Sequence, residues 1–279
     1  MKRFGYALAC LAVTTAPGLA QEATPEPELL SAFFGLNDSR QIRVRTLPLC
    51  RGQSRGVPGN DGMPVIFSHE VDPDTLDPED FQITTESGQV FAADCVTLRP
   101  ANEEGELRTA LVIGEYGSQT DQPLRVEIVG DIRSLGGELS FLGASTDVIA
   151  LEDGPTLILG EIVPDSQWRL GGEGDCPSEG TQTVVRAVWV GGITKPGGAE
   201  IDESEMALYR VRIQQGDGTL LTVTPLAVGD LNDNDNNHEL CLGDTGTPVS
   251  IFFPAGHLTD PNEDLNPATE IAVSGAAPH

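Results

Sequence analysis

The stretch Pro64-Val65-Ile66-Phe67-Ser68-His69-Glu70-Val71-Asp72-Pro73-Asp74-Thr75-Leu76-Asp77-Pro78-Glu79-Asp80-Phe81-Gln82-Ile83 reads as two β-strands and the connection between them. Side chains of an extended chain alternate between faces, so Val65 and Phe67 share one face and Phe81 and Ile83 share another. Between them stand two Asp-Pro pairs, Asp72-Pro73 and Asp77-Pro78. Proline lacks the N–H a sheet needs, and aspartate bonds its own backbone two residues on, so each pair stops the sheet and starts a turn. Thr75 and Leu76 are placed to cover the end of the apolar layer.

The same grammar extends outward. Short β-rich runs recur at Gln41–Leu49, Met63–Ser68, Asp80–Thr85, Gln89–Leu98, Leu107–Gly114, Leu124–Gly130 and Asp147–Leu151. A second series follows at Thr156–Val163, Thr183–Val190, Ala207–Gln214, Leu220–Leu226, His238–Leu242, Val249–Phe253 and Glu270–Val273. The 32 glycines and 20 prolines fall mostly between these runs, and no run keeps a helical period. The expected class is therefore all-β. Two sets of about seven strands suit two tandem sandwiches, with the break near Asp153-Gly154-Pro155. A single larger β-barrel is the alternative. Trp189 alternates with Val185 and Ala187, which makes it a core residue.

The quoted stretch resembles the early strands of bacterial immunoglobulin-like domains, in which a strand ending in Phe-Ser leads through a Val-Asp-Pro-x-Thr-Leu turn to a Phe-bearing strand. Leu124-Arg125-Val126-Glu127-Ile128-Val129-Gly130-Asp131-Ile132 is similar to a late strand of the same domain type. His69-Glu70 stands where that family more usually has Glu-Pro. Val249-Ser250-Ile251-Phe252-Phe253, followed by Leu258-Thr259-Asp260-Pro261 and Leu265-Asn266-Pro267, echoes the pattern in the second half. The resemblance implies two immunoglobulin-like sandwiches at 40–153 and 154–275, after a leader or linker at 21–39, in which apolar Leu29 to Leu36 reads as a first strand or a helical turn, and before a short tail at 276–279. It also implies a role as spacer, adhesive module or appendage of an exported protein.

The first twenty residues carry their own message. Met1-Lys2-Arg3 is basic, Phe4 to Val13 is apolar, and Thr14 to Ala20 is rich in small residues. That is the layout of a cleaved signal peptide at 1–20. The apolar run is too short for a permanent span, and no later stretch is long and apolar enough for one. The expected location is the periplasm, the cell surface or the medium. The chain holds 43 acidic and 16 basic residues, a net charge of −27. Such a surface repels nucleic acid and anionic membranes, attracts cations and stays hydrated in salt. The expected partner is an unidentified protein or surface. In an oxidising compartment Cys50, Cys95, Cys176 and Cys241 form two disulfides, and chain order suggests Cys50–Cys95 and Cys176–Cys241 among three possible pairings. No C-x-x-C pair supports a zinc site instead.

Asp230-Leu231-Asn232-Asp233-Asn234-Asp235-Asn236-Asn237-His238-Glu239-Leu240-Cys241 has the highest density of carboxylates and amides in the chain. Calcium takes six to eight oxygens from such residues. Asp230-x-Asn232-Asp233-Asn234 resembles the linker motif that holds calcium between cadherin domains. Asp233-x-Asp235-x-Asn237 resembles the start of an EF-hand loop, with His238 where that loop needs glycine. The expected calcium ligands are Asp230, Asn232, Asp233, Asn234, Asp235 and Asn237. The competing reading is an Asx-rich turn that satisfies its own backbone. Asp260-Pro261-Asn262-Glu263-Asp264-Leu265-Asn266 has similar spacing.

Catalysis finds less support in the sequence. Asp244-Thr245-Gly246-Thr247 matches the motif of aspartic peptidases, but that chemistry needs two carboxylates sharing a proton, and no second Asp-Thr-Gly or Asp-Ser-Gly exists. His69, His238 and His257 have no metal-binding spacing, and the pairs His69-Glu70 and His238-Glu239 are expected on outward faces. The leading expectation is a non-catalytic binding or structural protein, with an exported hydrolase using Asp244 as the alternative.

Overall fold

The structure is a computed structural model that describes residues 26–34, 61–118, 120–150, 152–231 and 235–275. Among these residues, the first half contains β1 (Leu29–Phe33), β2 (Asp61–Phe67), β3 (Phe81–Thr85), β4 (Val90–Ala92), β5 (Cys95–Thr97), β6 (Thr109–Gly114), β7 (Pro123–Ile128) and β8 (Ser145–Ile149). The second half contains β9 (Leu157–Ile162), β10 (Thr183–Trp189), β11 (Arg210–Gln214), β12 (Leu220–Val223), β13 (Ala227–Gly229), β14 (Asn237–Leu242), β15 (Thr247–Phe253) and β16 (Thr269–Gly275). A single helical turn, α1 (Glu203–Met206), is closed by a capping box between Asp202 and Glu205. None of the described helices is long and apolar enough to cross a membrane.

Each half forms one eight-stranded sheet, and the two sheets have the same strand order. The first runs β4-β3-β7-β8-β1-β2-β6-β5 and the second β12-β11-β15-β16-β9-β10-β14-β13. All neighbours are antiparallel except β1 with β8 and β16 with β9, which run parallel. Both ends of each sheet contribute to one core, so each sheet curls over on itself. In the first half Val65 and Phe67 of β2 meet Phe81 and Ile83 of β3 and Val126 and Ile128 of β7. Phe67 packs edge-on against Phe81 and Phe141, with centroids 6.3 and 4.8 Å apart. In the second half Trp189 packs edge-on against Phe253 at 5.4 Å, among Val185, Ala187, Tyr209 and Ile251.

The alternation read from sequence is plain where one face is wet. Phe81, Ile83 and Thr85 of β3 are buried while Gln82 and Thr84 are half-buried, and in β11 Val211 and Ile213 are buried between exposed Arg210, Arg212 and Gln214. The Asp-Pro turns also form. Asp72 accepts from the Asp74 N–H and Asp77 from the Glu79 N–H, each at 2.9 Å, and each opens a single 3-10 turn.

Several expectations need correction. The segment at 21–39 contains β1, which lies inside the first sheet between β8 and β2. Gln89–Leu98 is two short strands, β4 and β5, because Ala93-Asp94 turns the chain between them. The three-residue β13 was not expected at all. The run at Gln41–Leu49 lies outside the described residues, as do the signal peptide at 1–20 and the tail at 276–279.

Candidate functional site

β10 and β14 are buried along nearly their whole length. Their inward residues fill the core, so alternation sends Arg186 and Glu239 to the opposite face. There Arg186 is Cα partner both to Glu161 on β9 and to Glu239 on β14. This row is roofed by the first half. The Arg186 guanidinium donates to Glu161 Oε1 at 3.1 Å, to Glu239 Oε1 at 2.9 Å and to the Gly105 carbonyl at 2.7 Å. Gly105 is in the left-handed region at φ 88°, and a Cβ there would lie 2.7 Å from Arg186 Nη1, so both the turn and the close approach require glycine.

Arg108 completes the link. Its Nη2 donates to Glu161 at 3.1 and 3.2 Å, and its Nη1 donates to the Ser68 carbonyl at 3.2 Å. Glu106 Oε1 accepts from Arg169 Nη2 at 3.2 Å and lies 3.7 Å from Arg186 Nη2. Arg169 also pairs with Glu103 and Asp230. The apolar part of the same junction is close: a Cβ on Gly191 would meet Phe33 at 2.7 Å and Pro64 at 3.5 Å.

Burial shapes the charges. Glu106 is 0% exposed, and burial, reinforced by the neighbouring Asp230 carboxylate, pushes its carboxyl up to about 10. Burial also raises Glu239, with Arg186 opposing and Asp230 assisting the shift. Burial works against the charge on Arg186, but Glu161, Glu106 and Glu239 outweigh it and hold its pKa above the ordinary value. Five carboxylates (Glu103, Glu106, Glu161, Asp230 and Glu239) thus meet three guanidinium groups (Arg108, Arg169 and Arg186). Among the described residues, three buried carboxylate oxygens accept from no N–H or O–H donor: Glu106 Oε2, Asp230 Oδ2 and Glu239 Oε2. Asn237 Oδ1 has none either.

The expected calcium residues divide. Asp230 enters the junction, at φ 63° on the end of β13. Asp235 and Asn237 form an Asx turn, in which Asp235 accepts from the Asn237 N–H and Nδ2, both at 2.7 Å. Asn232, Asp233 and Asn234 lie outside the described residues. The Asp260 loop also closes on itself: Asp260 accepts from the Asn262 and Asp264 N–H groups at 3.0 and 2.9 Å. Asp244 is exposed in the connection from β14 to β15, without the shielding that a peptidase carboxylate pair requires.

The two His-Glu pairs are not on outward wet faces; all four residues are buried. His238 lies at the end of a chain in which Trp189 Nε1 donates to Tyr209 Oη at 2.9 Å and Tyr209 Oη meets His238 Nδ1 at 2.7 Å. With the tyrosine oxygen occupied by the indole N–H, its own hydrogen points to Nδ1, which assigns the neutral Nε2–H tautomer. Burial pushes His238 down to about 3. Cys176–Cys241 is formed, with Cα atoms 5.6 Å apart. Cys95 is also disulfide-bonded, while Cys50, its expected partner, lies outside the described residues.

Glu103, Glu106, Arg108, Glu161, Arg169 and Arg186 were missed as site residues, yet some left a signal. Arg186 interrupts Val184-Val185-Arg186-Ala187-Val188-Trp189, and Glu161 interrupts Leu157-Ile158-Leu159-Gly160-Glu161-Ile162. A lone charge inside an apolar strand with neither face wet must be paired.

No family model matches the chain, and no curated protein matches it. Among solved structures it is similar to the N-terminal part of the bacterial S-layer protein SbsC, at 12% identity and a TM-score of 0.30 over 91% of this chain and 45% of that one. It is similar at 12% identity and a TM-score of 0.31 to domains 1-6 of the surface layer protein SbsC, over 91% of this chain and 26% of that one. A third likeness, at 14% identity and a TM-score of 0.24, is to native alpha-2-macroglobulin from Escherichia coli spanning domains MG0-NIE-MG1, over 77% of this chain and 67% of that one. The chain spans less than half the length of the two SbsC structures, and likenesses at these TM-scores carry no argument about what it does.

Proposed function

We propose that this chain is an exported, non-catalytic structural or binding protein in which two immunoglobulin-like sandwiches are held in one fixed arrangement. The observation that carries this reading is the buried ion-pair lattice between the halves, above all Arg108–Glu161, whose side chains are each 5% exposed. Buried charges tolerate no slack: parting the halves leaves each one desolvated without its partner, or requires full rehydration of all of them together. A hinge between mobile modules is built from a smaller and wetter contact.

The sandwich reading is supported by strand order. Taken as two layers, β4-β3-β7-β8 and β1-β2-β6-β5 meet where β1 runs parallel to β8, and the second half repeats this. The order agrees with the immunoglobulin plan of an A-B-E-D layer facing a C-F-G layer. Export is supported by the Cys176–Cys241 disulfide, a bond that persists in oxidising compartments. The partner is a protein or another surface, met by the acidic exterior.

Small-angle scattering of the full chain from 21 to 279 tests the fixed arrangement. One conformation should account for the profile at low and at high salt, because a buried lattice is poorly screened. A profile that needs several relative placements of the halves, or that changes between 50 mM and 500 mM salt, overturns the reading.

A further inference from the structure

We propose that a cleft at the junction of the two halves binds a small neutral aromatic molecule bearing one hydroxyl group. The inference rests on the fixed junction proposed above, because the cleft takes its walls from both halves. One wall is the outer face of the first sheet. Ala32, Val65, Ala110 and Val112 point into the first core. Alternation therefore turns Phe33 of β1, Pro64 of β2, and Thr109 and Leu111 of β6 the other way, and all four line the cleft. The second half contributes Gly192 and Pro261. Between these walls lies a space of about 180 Å³.

Size and chemistry together select the ligand. An apolar cavity of about 150 Å³ takes benzene, so this cleft holds one ring with one small substituent. Phe33, Leu111 and the two prolines give that ring apolar walls. Among the described residues of the cleft, Thr109 carries an unmet polar demand: it is 7% exposed, and its Oγ1 is buried with no hydrogen-bond partner. A hydroxyl both donates and accepts, so a ligand hydroxyl answers it in either sense. The other polar side chains of the cleft are engaged or wet. Asp235 accepts from the Asn237 N–H and Nδ2, Asn236 Nδ2 donates to the Trp189 carbonyl at 2.7 Å, and Arg99 is exposed. Charge sets the last condition. The Asp235 carboxylate in the wall and the net charge of −27 both work against an anion, which favours a neutral ring over a carboxylate of similar size.

Titration of the full chain from 21 to 279 with phenol, toluene and benzoate, read by NMR, tests the site. The wild type should bind one phenol per chain and bind benzoate at least about 10-fold more weakly. Thr109→Val keeps the shape of the side chain without its hydroxyl. It should weaken phenol about 5-fold and leave toluene unchanged. Leu111→Trp fills the cleft with the protein's own ring and should abolish binding of both. Thr109→Val decides alone if Leu111→Trp fails to fold. No phenol binding to the wild type overturns the site. So does phenol binding as tightly to Thr109→Val or to folded Leu111→Trp as to the wild type, or benzoate binding more tightly than phenol. Phenol failing to bind while scattering still fits one arrangement overturns the ligand site alone. Scattering that demands several arrangements overturns the fixed junction, and the site with it.

Discussion

Two rows of three residues occupy comparable places in the two halves. In the first sheet Ile66 of β2 lies between Ser31 of β1 and Thr109 of β6. In the second, Arg186 of β10 lies between Glu161 of β9 and Glu239 of β14. Strand order, strand direction and burial are alike, and the chemistry is opposite. The comparison separates two jobs that a sheet performs. Inward residues such as Val65 and Phe67, or Val185, Ala187 and Trp189, close each core and set the fold. On the other face of the second sheet, Glu161 and Arg186 bond to Arg108 and Gly105 of the first half.

Substitutions on these rows should therefore cost different amounts. Arg186→Met should destabilise the protein by about 3–5 kcal/mol in denaturant melts, because it strands the buried Glu239 and leaves Glu161 with Arg108 as its remaining ion-pair partner. Replacing Arg108, Glu161, Arg186 and Glu239 together with apolar residues of similar volume should recover most of that loss while loosening the choice of arrangement. Removing the second-half disulfide with Cys176→Ser and Cys241→Ser should cost about 2–5 kcal/mol.

The two halves also bury a histidine each, and His238 gives the clearest pH effect. Its folded pKa of about 3 lies below the ordinary 6.5, so it favours the folded state above pH 6.5 and loses that contribution as pH falls from 6.5 towards 3. The melting temperature should drop through that window, and His238→Gln should make the decline shallower. The smallest effect belongs to the neutral row, where Ile66→Val should cost about 1 kcal/mol and leave the junction unchanged.

Much of the fold was legible because its signals are local. Phe81 and Ile83 alternate with polar residues, Asp72-Pro73 and Asp77-Pro78 make the turns their chemistry requires, and Trp189 sits in the core. Cys176 and Cys241 pair as their order suggested. What escaped is non-local or very short. β13 has three residues, too few to show a period. Leu29 to Leu36 reads as a strand or a helical turn, and nothing local in it says that Leu29–Phe33 joins the first sheet between β8 and β2. The Asp230 stretch drew notice for its acidity, and Asp230 does enter the junction. Its companions Glu103 and Glu106 lie more than a hundred residues earlier, in a connection that reads as ordinary solvated charge. Only the docking of two sheets brings them together.

The pair Arg108–Glu161 carries the central claim, since it joins the halves directly and neither side chain is exposed. A double-mutant cycle with Arg108→Met and Glu161→Gln, measured by equilibrium unfolding of the full chain, reads their coupling free of each residue's other contacts. The fixed-junction account predicts a favourable coupling of at least about 1.5 kcal/mol. A coupling within about 0.3 kcal/mol of zero would contradict it, and would mean that the halves touch without holding one another.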